Sequence, residues 1–136
     1  MTSPGVPEAV RRFASRHLDG VEMMEVLLLL HRQPERWWTA ETVAGELGTP
    51  RSSAERCLEA LASGRFLDAR LAHAVLFRFS PVDPELEEGV RQLAAAYAEQ
   101  RFALISLVSS NRLAGLRSFA DAFRIRRRKE KADGDG

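Results

Sequence analysis

Apolar residues recur at helical spacing over four stretches before residue 64, alternate over two short stretches after it, and return to a helical period from about residue 84. Val10, Phe13, Ala14 and Leu18 place a short helix after Pro7, with Asp19-Gly20 as its stop and His17 expected as a solvent-side or dipole-complementing residue near its end. Val21 to Arg32 is apolar nearly all round. Met23, Met24, Val26, Leu27, Leu28, Leu29 and Leu30 leave Glu22, Glu25, His31 and Arg32 for water, so this helix is expected at the centre of the domain, with the methionines filling its core. Gln33-Pro34 ends it. Arg36-Trp37-Trp38 then reads as a short strand, with one Trp packed inward and the other half exposed.

Turn chemistry locates the next two helices. The Thr39 hydroxyl is placed to cap a helix carrying Glu41 in its first turn and Val43, Ala44 and Leu47 on one face, and Gly48 supplies the left-handed residue that ends it. Thr49 is expected to cap the following helix, with Pro50 at its first position, where a missing N–H does no harm. That helix, Pro50 to Ser63, turns Ala54, Cys57, Leu58 and Leu61 inward and Arg51, Ser52, Ser53, Glu55, Arg56 and Glu59 outward. Beyond Gly64, Phe66 to Arg70 and Ala74 to Phe79 alternate as strands around a turn at Leu71, Ala72 and His73, with Val75, Phe77 and Phe79 on one face and Leu76 and Arg78 on the other. Helix, tight turn, helix and ribbon make a winged helix-turn-helix, whose second helix faces a DNA groove.

Two prolines in Ser80-Pro81-Val82-Asp83-Pro84 interrupt regular structure and mark a boundary. From Pro84 to Val108 a single long helix is expected, because Leu86, Val90, Leu93, Tyr97, Gln100, Leu104 and Leu107 follow steps of four and three, a heptad seam with one polar member. Ala94, Ala95, Ala98, Phe102 and Ile105 widen that face beyond what one seam needs, which favours homodimerisation through Leu86, Val90, Leu93, Tyr97, Leu104 and Leu107. Ser109-Ser110-Asn111 is expected to break the helix. A last amphipathic helix follows from Leu113 to Arg126, with Phe119 and Phe123 on its apolar side, and leads into a basic tail of Arg124, Arg126, Arg127, Arg128 and Lys129. The fold class is therefore α+β and mostly α. Residues 1–18 form a flank with a short helix, 19–82 the winged helix-turn-helix, 83–110 the long helix, and 111–136 the amphipathic helix and tail.

Composition narrows the chemistry. A chain of 136 residues, 45% hydrophobic and 29% charged, supports one core with extensions. Its single Cys57 allows no internal disulfide and suits a reducing cytoplasm, and the run Val26 to Leu30 is too short to span a bilayer. The N-terminus lacks the layout of a signal peptide, so a cytoplasmic location is expected. The three His lie apart at positions 17, 31 and 73, with no glycine-rich phosphate loop, no metal-ligand spacing and no nucleophile beside a base. The reading is a protein without enzyme activity, cofactor or metal.

Net charge is +1, but it is segregated: residues 49–80 carry five Arg against three acids, and residues 111–136 carry eight Lys or Arg against four acids, while 21–48 and 81–110 are acidic. The two basic zones coincide with the second helix and ribbon and with the tail. Both are candidate phosphate contacts, the alternative being ordinary solvated faces.

Glu22-Met-Met-Glu-Val-Leu-Leu-Leu-Leu, Trp38-Thr-Ala-Glu-Thr-Val-Ala-Gly-Glu-Leu-Gly, Leu58-Glu-Ala-Leu-Ala-Ser-Gly and Phe66-Leu…Phe77-Arg-Phe together resemble bacterial winged helix-turn-helix regulators of the broad MarR/PadR kind, over residues 19–82. The resemblance implies a dimeric transcriptional regulator whose second helix reads the major groove of duplex DNA through Thr49, Arg51, Ser52, Ser53 and Arg56, with Arg70 and Arg78 on the wing. The chain departs from a strong DNA reader in having Glu55 and Glu59 beside the two arginines. The competing expectation is a winged-helix adaptor that docks a protein or an anionic membrane through its tail.

Overall fold

The computed structural model describes residues 5–111. The expected last helix, with Phe119 and Phe123, and the basic tail of Arg124, Arg126, Arg127, Arg128 and Lys129 lie outside the described residues. Helices α1 (Glu8–His17), α2 (Val21–Arg32), α3 (Ala40–Leu47) and α4 (Arg51–Ser63) precede an antiparallel ribbon of β1 (Leu67–Leu71) and β2 (Val75–Phe79), which α5 (Pro84–Glu99) follows. The chain is helical again over 101–111, here α6. This is the mostly helical winged helix-turn-helix that the sequence predicts.

α2 is central because it is apolar on most sides: Met24, Val26, Leu27 and Leu30 are fully buried, and α3, α4, α5 and β2 all pack on it. Trp38 forms a single bridge to Phe77, exchanging both backbone hydrogen bonds at 2.7 Å, and so adds a third, one-residue edge to the ribbon. Its ring is completely buried while Trp37 stays half exposed, as expected. The register pairs Leu67 with Phe79, Asp68 with Arg78 and Arg70 with Leu76, so Phe77 and Phe79 close over α2 and the arginines face outward.

Local signals act largely where the sequence puts them. Thr39 accepts from the Thr42 N–H, and Thr42 accepts from the Thr39 N–H, which forms a reciprocal capping box. Gly48 ends α3 at φ 68°, a conformation most side chains resist. The cap of α4 differs from expectation: Pro50, not Thr49, is the N-cap residue, and no side chain caps the helix. The Thr49 hydroxyl is buried and has no hydrogen-bond partner among the described residues. Arg65 takes a left-handed φ of 70°, turning the chain from α4 into the ribbon, where its carbonyl accepts from Val82.

Two expectations about the C-terminal part are corrected. The single helix from Pro84 to Val108 is interrupted at Gln100, whose φ of −136° and ψ of 51° leave the helical region, and Asn111 is helical where a break was expected. The interruption lets α6 fold back on the core, where the Asn111 side-chain amide donates to the Ala14 carbonyl at 3.1 Å. The seam also faces inward. Val90, Leu93 and Leu104 are fully buried in this chain's own core, and Leu86, Tyr97 and Leu107 pack against it, because α1 and α2 offer the apolar surface that a second chain was expected to supply. Phe102, at 87% exposure, is the large apolar residue that α6 leaves uncovered.

His17 stands in the last turn of α1, the dipole-complementing place, but is half-buried and not on the solvent side. Its ring lies 4.8 Å from Phe13 and 5.2 Å from Phe66, in a cluster over which the Phe13 ring occupies the space a Cβ would need at Gly89. Burial is the main cause of a lowered His17 pKa, helped by Arg16 and opposed by Asp83, and burial also lowers that of His31 against the pull of Glu87. Both imidazoles therefore take up a proton less readily in the fold than in the unfolded chain. The unfolded chain takes up protons at the ordinary value of 6.5, so these two groups cost no stability above that pH and lower it as pH falls toward their folded-state values. Thermal melts at descending pH are expected to show this decline, and the pair His17→Phe and His31→Phe to flatten it. An unchanged slope in the double variant rules the two histidines out as its source.

Candidate functional site

Burial at every third or fourth position divides α4 sharply. Ala54, Leu58 and Leu61 are sealed against α2 and α3, while Arg51, Ser52, Glu55, Arg56 and Glu59 are exposed and Ser53 and Cys57 are half-buried. The α3–α4 pair supplies the rigid frame: the Gly48 and Thr49 N–H groups both donate to the Ala44 carbonyl, which fixes the turn that aims α4 outward. A helix held by one face and bare on the other is the form that fits a major groove.

The electrostatics of that bare face begin at its N-terminus. Every other helix with assigned caps carries an acid in its first turn, at Glu8, Glu22, Glu41, Glu85 and Glu87, but α4 carries none. Its first turn instead presents Arg51, Ser52 and Ser53 around backbone N–H groups that no side chain caps. The positive end of the helix dipole, a guanidinium and two hydroxyls thus converge where an anion would be held. Glu55 follows one turn after Arg51 and stands beside Arg56, and Glu59 lies one turn further along, so the acids share the exposed face with the two arginines.

On the ribbon, Arg70 and Arg78 come together through a residue the sequence reading did not connect with them. The Arg78 guanidinium lies 4.6 Å from the Trp37 ring centre and that of Arg70 5.9 Å from the same ring, while Asp68 approaches Arg78 at 3.9 Å. Arg36 covers Trp38 at 3.6 Å. The signal available beforehand was alternation: if Trp38 points inward, Trp37 must share the outer face with Arg78 and Arg70. Thr49 is set apart from the other expected contacts, since its hydroxyl is turned inward. Leu71, 80% exposed, and Val75 make the ribbon's tip apolar, which leaves its charge on the strands.

None of the described helices is long and apolar enough to cross a membrane. Residues 23–70 match the family model of the IclR helix-turn-helix domain, a span running from the start of α2 to near the end of β1. Among curated proteins none matches the chain significantly. Among solved structures, the adhesin competence repressor AdcR of Streptococcus pyogenes is similar at a TM-score of 0.43 and 16% sequence identity, over 76% of this chain and 78% of that one.

Proposed function

We propose how this DNA-binding transcriptional regulator, whose helix-turn-helix is similar to the IclR kind, engages its target: α4 enters the major groove of duplex DNA, N-terminal turn first. The observation that carries the proposal is that first turn, with Arg51, Ser52 and Ser53 exposed or half-exposed around an uncapped and acid-free helix start. Arg56, one turn further along the exposed face, is assigned to a base edge or flanking phosphate, and Glu55 and Glu59 to acceptance from cytosine amino groups. Arg70 and Arg78, steadied on Trp37, meet the backbone beside the groove. Thr49 is given no direct contact, because its hydroxyl is buried.

The proposal extends to a homodimer in the bacterial cytoplasm that acts by binding and not by catalysis. Phe102 supports a second copy, since a large exposed aromatic at the outer surface of α6 is a contact in want of a partner. The basic run at Arg124, Arg126, Arg127, Arg128 and Lys129 is assigned to phosphates outside the groove.

Binding to labelled genomic fragments over a salt series tests the reading. The logarithm of the association constant is expected to fall linearly with the logarithm of salt concentration, with a slope near −0.9 for each phosphate neutralised, about −3 to −5 in all. Absence of a shift even at low salt removes duplex DNA as the partner of α4.

A further inference from the structure

The ribbon ends in an apolar blade. Among the described residues four large apolar side chains are exposed, Leu71, Val75, Val82 and Phe102, and two of them stand together here. Leu71 and Val75 are cross-strand partners in the register, so their side chains lie side by side on one face of the ribbon. That face is the one on which Phe77 and Phe79 are buried, continued past the point where the core stops. Ala69, Ala72 and Ala74 are exposed beside the pair, and from residue 71 to 75 there is no Lys, Arg, Asp or Glu. An exposed strand edge is ordinarily blunted by charged side chains.

Geometry suits this blade to a narrow groove. The Ala72 N–H donates to the Ala74 carbonyl at 3.0 Å, which closes the turn and holds the two strands together at the tip. Two residues of strand, at about 3.3 Å each, carry the pair roughly 7 Å past Phe77, close to the minor-groove depth of about 7.5 Å. The groove is only about 6 Å wide, less than a ribbon with its side chains, so entry must open it. Cations stand next to the blade: Arg70 adjoins Leu71 and, with Arg78, is set on the Trp37 ring on the opposite face.

Charge complementarity and continuity select duplex DNA as the occupant. β1 packs on α4, the helix assigned to the major groove, and begins three residues after it ends. A bilayer is a poorer match, because a single myristoyl chain gives only marginal membrane binding and two aliphatic side chains offer less apolar surface. A stable protein partner needs about 20–30 residues a side, more than this tip presents.

We propose that the Leu71–Val75 pair is a wedge that enters the minor groove of the bound duplex, parts one base step and bends the DNA. The inference rests on the DNA reading given above. Apolar side chains pushed between base pairs unstack them and kink the duplex by about 20–90°. Steps of the TA and CA/TG kind yield most easily, so the wedge adds a preference for them at positions that α4 does not read.

The test takes genomic fragments of about 150 base pairs, one persistence length, that the native chain shifts at low salt, and measures their closure into circles by ligase. Saturating native protein is expected to raise the yield of circles by about tenfold or more. Permanganate oxidises thymines that have lost a stacking neighbour, so it marks a parted TA or TG step without knowledge of the binding site. One hyperreactive thymine is expected in each bound fragment. Leu71→Ser changes an exposed side chain, so this variant is expected to melt as the native chain does and to shift the same fragments within about tenfold of native affinity. It is expected to lose both the added circles and the reactive thymine, and Leu71→Phe to keep them. Both signals retained in Leu71→Ser, or fragments shifted by the native chain with neither signal, overturn the wedge and leave the assignment of α4 standing. Fragments never shifted at low salt overturn the DNA reading itself, and the wedge with it. Co-sedimentation with phosphatidylglycerol vesicles that Leu71→Ser abolishes, beside an undistorted duplex, overturns the wedge in favour of a membrane surface.

Discussion

Leu93→Ala or Leu104→Ala is expected to lower the stability of the fold by about 2–5 kcal/mol each, at every protein concentration. Both side chains are fully buried within one chain, in the same core as Met24, Leu27 and Leu30 of α2. Truncation removes the transfer energy of the lost methyl groups and leaves a void that close-packed neighbours fill only in part. The melting temperature should fall by about 8 °C or more for a domain of this size. The same substitutions in an interface between chains would act differently. They would change the association constant and leave the isolated chain as stable as before. Melts at concentrations spread over two decades, with light-scattering masses beside them, distinguish the two: a loss that disappears on dilution, or a lower mass with an unchanged melt, moves the seam to an interface. Phe102→Asp is the complementary variant. It alters an exposed position, so it is expected to leave the melt near that of the native chain and to reduce the mass if α6 meets a second copy.

The double variant Arg51→Ala and Arg56→Ala is expected to weaken DNA binding by about 1–3 kcal/mol for each arginine that contacts a guanine edge. Where either instead meets a phosphate, the salt slope should become shallower by about one. Both guanidinium groups are exposed and take part in no ion pair among the described residues, so their loss leaves the core and the α3–α4 turn intact. The melt serves as the control. An unchanged affinity and slope in a variant that folds would remove α4 as the reading helix and direct attention to the arginines on Trp37 and to the basic tail.

Much of the helix-turn-helix was legible in advance because its signals are local. A threonine just before the first apolar-periodic residue of α3, and a glycine where that helix ends in a positive φ, act through neighbours in sequence. The error at Thr49 and Pro50 was of one residue. It arose because both residue types suit a helix start, and only the packing of the turn decided that the threonine hydroxyl points inward. The ribbon was readable for a related reason: alternation assigns each residue a face, and the buried Phe77 and Phe79 then fix which face is inner.

By itself, the sequence determined which positions are apolar, the helix and strand periods and most of the points where the chain turns, and these suffice for a winged helix-turn-helix whose second helix turns its polar face outward. Tertiary structure alone decided what each apolar stripe would cover. A heptad seam presents the same surface to a partner chain and to its own core, and the outcome depended on whether α1 and α2 came within reach once Gln100 interrupted the helix. No glycine or proline announces that interruption, which follows from the gain of burying Leu104 and Val108. The meeting of Arg70 and Arg78 on Trp37 belongs to the same class. It joins residues distant in sequence, and distance in space is set by the packing of whole elements, which no local pattern records.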